Sequence, residues 1–243
     1  MPSFYAPHLK TGIRELFLAG DEAHHISHVF RHRLGDEISL TNGCGLLAKA
    51  HIIGIAAKEI KLSVSFIEEK TLSHPPLAVA FPLLKNKHDF LIVEKLTELG
   101  VKDLFPLCTK RSVRTTSANT QSKFEKIAIA AIKQGDNAFL PNIRPVQRLQ
   151  DFLNESASFQ PLVALEKGKH RSLLKLAADF ADQPVCLIIG PEGGFDEEER
   201  EYFKIMKIPA FTLGNHILRA ETAAIAAASQ FLAFRLLRQQ EYY

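Results

Sequence analysis

In the carboxyl-terminal third of the chain, apolar residues come in short unbroken runs that glycine brings to a halt. Val185 to Ile189 is one such run, stopped by Gly190-Pro191-Glu192-Gly193-Gly194. A short apolar run bounded by turn residues predicts a buried strand, and Gly-Pro-Glu-Gly-Gly cannot continue it. Asp196 followed by Glu199 three residues later predicts a capping box, so a helix opens there. The pattern then repeats. Ile208 to Leu213 predicts a strand, Gly214-Asn215 breaks it, and an alanine-rich helix is predicted from Ala220 towards Leu237. Upstream, Leu77 to Leu83, Leu104 to Cys108 and Leu162 to Leu165 read as strands. His88 to Leu99 and Phe124 to Gln134 read as helices, the first closed by Gly100. Alternating strands and helices predict an α/β domain with a mostly parallel sheet.

The amino-terminal part has a different rhythm. Ile60, Leu62, Val64 and Phe66 alternate with polar residues, Asn42-Gly43 is a hairpin signal, and Leu46 to Ile55 is strand-like. This predicts a small β-rich domain. Paired prolines at 75 and 76 end regular structure, which sets the expected domains at 1–73 and 74–243. His24, His28 and His32 recur every four residues, so a helix would bring them to one face; with Asp21 they form the one arrangement to weigh as a metal site. The expectation is that no metal binds, the histidines meeting phosphates or solvent instead.

Loops at the carboxyl ends of neighbouring parallel strands gather backbone N–H groups and helix amino termini, which is where α/β proteins bind ligands. Two adjacent glycine loops that also carry Glu192, Arg219 and Glu221 therefore predict a cofactor site. Neither Gly-x-Gly-x-x-Gly nor Gly-x-x-x-x-Gly-Lys-Ser/Thr occurs in the chain, so phosphate cradling is the weaker reading. A fixed carboxylate at Glu192 repels phosphate and tolerates a cation such as a sulfonium, which favours S-adenosylmethionine.

Ile-Gly-Pro-Glu-Gly-Gly (189–194) followed by Leu-Gly-x-x-Ile-Leu-Arg-x-Glu-Thr (213–222) resembles the signature of the SPOUT methyltransferases, and within them the 16S ribosomal RNA uridine-N3 methyltransferase family. The resemblance extends to His24-His25, Val29, Arg31, Gly35-Asp36, Lys95, Glu98-Leu99-Gly100-Val101, Arg111-Ser112-Val113, Gln134, Pro141 and Ile143, nearly the whole chain. It implies a PUA-like RNA-binding β-barrel at the amino terminus and a SPOUT α/β domain whose carboxyl-terminal segment forms a trefoil knot. It also implies a homodimer, S-adenosylmethionine as cofactor, and one uridine of 16S rRNA in the small ribosomal subunit as target. Leu165, Gly190, Pro191, Glu192, Gly193, Leu213, Gly214, Asn215, Ile217 and Leu218 are the cofactor-binding residues by the same resemblance. Arg31 is the RNA contact expected of the first domain, with Arg33 beside it.

Methylation of uracil N3 demands removal of an imide proton and stabilisation of the resulting oxyanion. Arg219 and Glu221 are the expected catalytic pair. Arg219, at a helix start where the macrodipole adds positive potential, holds a substrate oxygen or phosphate. Glu221 accepts the proton or orients Arg219, and Glu192 is the competing base. The chain departs from the family pattern at three places. Lys133-Gln134-Gly135-Asp136-Asn137 stands where Glu-Gln-Ser-x-Arg is common, leaving Lys133 or Arg144 to supply the missing charge; His216 replaces a basic residue and Ala223 a threonine. A different target base, a ribose 2′-hydroxyl, or a non-catalytic ribosome-assembly role are the open alternatives.

Composition narrows the setting. The 243 residues are 46% hydrophobic, ample for one large or two modest domains. No apolar stretch is long enough to span a bilayer and residues 1–10 lack a signal-peptide pattern, so a cytoplasmic protein is expected. Cys44, Cys108 and Cys186 form no Cys-x-x-Cys and read as buried thiols. The net charge is only +3, but residues 77–148 hold 12 Lys+Arg against 6 Asp+Glu. Lys85, Lys87, Arg111 and Arg114 in this segment are the expected phosphate-backbone contacts.

Overall fold

The computed structural model describes residues 3–72, 74–112, 119–155, 158–166 and 168–240. The chain divides into two compact units, Met1–Thr71 with Ala128–Leu140 and Leu72–Ile127 with Pro141–Tyr243.

The first unit is built on five strands, β1 (Phe4–Tyr5), β2 (Glu15–Ala19), β3 (Glu37–Thr41), β4 (Leu46–Ile55) and β5 (Glu59–Glu69), in the order β1-β3-β4-β5-β2. The β3–β4 hairpin turns at Gly43, and the Asn42 side chain accepts from the amides of Cys44 and Leu46. Cys44 sits at this turn and is exposed rather than buried; Cys108 is half-buried and only Cys186 is fully enclosed. The alternation of β5 holds through Ile60 and Leu62, which are buried, and then breaks. Lys49 pairs with Phe66 but Ala50 with Val64, so Ser65 is the extra residue of a bulge. A one-residue slip sends following side chains to the opposite face, leaving Phe66 59% exposed while Ile67 packs on the core.

Helix α1 (Asp21–His24) continues as one π-helical turn, His25–Val29. His24 and His28 stack with ring centroids 4.7 Å apart, but Arg31 takes a left-handed φ of 56°, which ends the helix. His32 therefore leaves the expected face and bonds Asp36 at 3.2 Å. Residues 128–140 belong to this unit by packing. Lys133 Nζ reaches Glu22 at 2.6 Å, the Ser3 amide donates to the Lys133 carbonyl, and Thr41 Oγ1 donates to the Asn137 carbonyl.

The second unit is α/β. Its strands are β6 (Leu77–Pro82), β7 (Asp103–Cys108), β8 (Asn142–Ile143), β9 (Gln147–Arg148), β10 (Gln160–Ala164), β11 (Arg171–Ser172), β12 (Val185–Ile188) and β13 (Ala210–Thr212). Seven form a sheet ordered β11-β13-β10-β12-β6-β7-β8, with β9 pairing β7, and every pairing is parallel. The helices are α2 (His88–Glu98), α3 (Thr120–Gln134, whose second half belongs to the first unit), α4 (Leu149–Glu155), α5 (Leu173–Phe180), α6 (Glu197–Ile205) and α7 (Ala220–Gln240). β6 and β12 are buried at every position, which is why they read as unbroken apolar runs. Among the described residues no helix is long and apolar enough to cross a membrane.

Candidate cofactor and catalytic site

Three adjacent parallel strands, β13, β10 and β12, end on the same edge of the sheet, so the chain leaving each one converges there. Residues after β10 (165–166), after β12 (189–195) and after β13 (213–218) line one cavity of about 270 Å³, near the lower end of small-molecule sites, about 300–1,000 Å³. All ten residues expected to meet a cofactor are in its wall: Leu165, Gly190, Pro191, Glu192, Gly193, Leu213, Gly214, Asn215, Ile217 and Leu218.

Local chemistry shapes each loop. The Gly194 amide donates to the Pro191 carbonyl at 2.7 Å, closing a tight turn that gives Gly194 a φ of 65°. Gly190 answers to packing: a Cβ there would lie 2.9 Å from the Phe195 ring, which is buried against Phe203. The expected capping box is present, the Asp196 side chain accepting from the Glu199 amide at 2.7 Å and Glu199 from the Asp196 amide at 2.9 Å. Glu199 Oε1 also accepts from the Lys110 amide at 2.9 Å. That bond fastens the chain after β7 to α6. Arg111 then donates to the Gly193 carbonyl at 2.6 Å and lines the cavity.

The charged groups of the cavity wall are Glu166, Glu192, Arg111 and Arg200. Glu166 and Arg200 carried no motif in the sequence. Ile217 is 75% exposed, an apolar side chain at the wall left in water.

Arg219 and Glu221 lie at the start of α7, outside the cavity wall, next to Ala220 and Ala223, which do form part of it. Arg219 is exposed. Glu221 is 6% exposed, and its Oε1 lies 2.8 Å from His88 Nδ1. Its Oε2 is buried and has no hydrogen-bond partner among the described residues. Burial pushes the Glu221 carboxyl up, but its own backbone N–H, the His88 bond and the charges of His88 and Arg219 outweigh burial and hold it below the ordinary carboxylate value. Glu221 is a fixed anion at neutral pH. His88 went unforeseen because its partner is 133 residues away, beyond any local spacing.

Of the expected RNA contacts, Arg31, Arg33, Lys85 and Lys87 are exposed. Arg111 is also exposed, with its guanidinium on the glycine loop. Arg114 lies outside the described residues. Val29, Phe30 and Leu34 stand exposed around Arg31 and Arg33. Among the described residues no three His, Cys, Asp or Glu cluster to hold a metal.

The RNA methyltransferase domain model matches residues 72–232 and the RNA methyltransferase PUA domain model matches residues 18–65. The chain is 30% identical over 217 residues to the ribosomal RNA small subunit methyltransferase E of Rickettsia conorii, covering 88% of this chain and 87% of that protein. A methyltransferase structure from Legionella pneumophila, solved with bound cofactor SAM, is 27% identical with a TM-score of 0.85 over 95% of this chain and 96% of that one. The fold is also that of a Neisseria gonorrhoeae structure, 22% identical, TM-score 0.86, covering 98% of each chain.

Proposed function

The chain belongs to the RNA methyltransferase family of ribosomal RNA small subunit methyltransferase E, and from that premise we propose that it methylates N3 of a uridine in the 16S rRNA of the small ribosomal subunit. It is an S-adenosylmethionine-dependent enzyme. The observation that carries this reading is the convergence of three strand-end loops, with all ten residues of the family's cofactor pattern, on one cavity. The donor set fits the cofactor. Glu166 and Glu192 suit a sulfonium, Arg111 and Arg200 a carboxylate, and the leucine-bearing loops an adenine with backbone groups at its edge. S-adenosylmethionine supplies an electrophilic methyl group.

The chain's own residues do the rest. Arg219, exposed at the amino end of a 21-residue helix, carries positive potential to a substrate oxygen or phosphate. Glu221, held ionised, neutralises and orients its neighbours. Arg111, through Gly193, keeps the glycine loop in place. Arg31, Arg33, Lys85 and Lys87 read the RNA backbone, and exposed Phe30 offers a ring for stacking. The amino-terminal domain (1–73) is the PUA-like RNA-binding domain and 74–243 the SPOUT domain, with residues 128–140 of the latter belonging to the first compact unit. A trefoil knot in the carboxyl-terminal segment is what the family resemblance implies, and the loops it would involve are those after β12 and β13, the strands that flank β10. A homodimer is supported by Leu236 and Leu237 of α7, 54% and 63% exposed, which a second copy would cover. The substrate places the enzyme in the cytoplasm, with ribosomes.

The test is incubation of the protein and S-adenosylmethionine with small subunits that lack the modification, followed by nucleoside mass spectrometry. New 3-methyluridine is expected. A different methylated nucleoside moves the target and keeps the cofactor site, while RNA binding without any product favours a non-catalytic assembly role.

A further inference from the structure

We propose that His88 is the proton acceptor of the reaction and that Glu221 sets its tautomer. The inference rests on the uridine-N3 reading above. An ionised carboxylate can only accept, so the 2.8 Å contact requires His88 Nδ1 to donate to Glu221 Oε1. In its neutral form the ring then carries its bare lone pair on Nε2. The His88 side chain is 35% exposed, while its anchor Glu221 is 8% exposed, which gives a fixed inner end and an accessible outer one. A base held by a buried carboxylate is the arrangement that fixes tautomer and ring orientation in base catalysis.

His88, like Glu221, is outside the cavity wall, and two links tie it to the elements that form the wall. β6 pairs with β12 so that Ala80 faces Ile188, and the Ile189 amide donates to the Ala80 carbonyl at 2.8 Å. The chain leaving β6 towards His88 thus starts beside the chain that enters the glycine loop. At its other side, His88 bonds the first turn of α7, where Ala220 and Ala223 wall the cavity. The approach to His88 is conformationally costly. Asn86 and Lys87 take left-handed φ values of 55° and 63° in succession, a conformation that persists where surrounding structure imposes it. Glu221 Oε2 is buried and without a hydrogen-bond partner among the described residues, so the side-chain bond that orients this carboxylate is the one between Oε1 and His88.

In the step, the uracil N3–H bond breaks, its proton passes to His88 Nε2, and the bonding pair stays on N3 as the nucleophile's lone pair. The imidazolium is neutralised by Glu221, which remains ionised, and loses its proton to solvent from the exposed edge.

The test compares wild type with His88→Asn and Glu221→Gln. Asparagine can still donate an amide N–H to Glu221 but has no basic nitrogen, so a purely structural role survives it. Single-turnover methylation of small subunits by His88→Asn is expected to fall at least about 100-fold, with melting temperature and S-adenosylmethionine affinity unchanged. In His88→Ala, added imidazole is expected to restore part of the rate. ¹⁵N-imidazole spectra of the ligand-free wild type are expected to place the proton of neutral His88 on Nδ1, a preference lost in Glu221→Gln. A rate within about threefold of wild type in His88→Asn, or a proton on Nε2, overturns the assignment. If the wild type makes no 3-methyluridine, the functional reading falls and the base goes with it. An active wild type with an undiminished His88→Asn overturns the base alone.

Discussion

Glu221 is the residue at which most of the site's electrostatics meet. Its carboxyl is held below its ordinary value of 4.5 despite burial, so the unfolded chain takes up its proton before the folded one does. Its contribution to stability is therefore complete above about pH 4.5 and lost as pH falls through the folded value. Denaturant midpoints of wild type and Glu221→Gln are expected to converge as the pH is lowered from 6 to about 3; a gap that stays constant would show that the carboxylate is not stabilised by folding. The departures from the family pattern also resolve at this scale. Lys133 cannot replace the missing arginine, because it is only 14% exposed and committed to Glu22. Asn137 spends its side chain accepting from the Phe139 amide. Arg144 sits 3.5 Å from Asp103, so it too is engaged. Gly190, by contrast, fits the family motif for a reason the motif does not state: the Phe195 ring occupies the space a Cβ would need.

At the level of elements, what could be read from the sequence was whatever local chemistry decides. The α6 capping box, the β12 and β13 strands before their glycine loops, and the unbroken apolar β6 follow from residues within one turn or one pleat. What escaped was long-range or depended on a single irregular residue. The β5 bulge reverses Phe66, Arg31 ends the histidine helix early, and the loop after β7 is tied to α6 through a bond spanning 89 residues. That last link makes a prediction about α6. Glu199 satisfies two backbone donors, the Asp196 and Lys110 amides, from a position 5% exposed. Glu199→Ala strips both and leaves them with no replacement acceptor from that side chain, so a loss of about 2 kcal/mol is expected, larger than the ~1 kcal/mol of a simple cap. Because the same bond holds the chain that carries Arg111, S-adenosylmethionine affinity is expected to fall with stability. Calorimetric titration beside a thermal melt checks both. Lost stability with unaltered affinity would mean that the capping box serves the helix alone.

For the whole molecule, the division of labour between two units is the feature with the most consequence. Sequence rhythm separated a β-rich part from an α/β part, but could not assign residues 128–140 to the first unit, because that assignment comes from Lys133, Asn137 and Ala138 reaching partners about a hundred residues away. If the first unit reads RNA and the second holds the cofactor, the two affinities are separable by mutation. Arg31 and Arg33 are exposed in the first unit, far in sequence from the cavity loops. Each phosphate contact made by a cation releases counterions, steepening the fall of affinity with salt by roughly 0.7–0.9 in the log–log slope. Replacing Arg31 and Arg33 together by alanine is expected to flatten that slope by one to two units and weaken RNA binding, leaving S-adenosylmethionine affinity at the wild-type value. Arg111→Ala is expected to do the reverse in its larger part, weakening the cofactor through the lost Gly193 bond and the RNA by at most one charge. Filter binding across salt concentrations, paired with cofactor titration, decides the matter: an RNA affinity of the wild type that is insensitive to salt removes the backbone footprint. Equal loss of both ligands in the Arg31/Arg33 variant would mean that the two units do not work as separate readers.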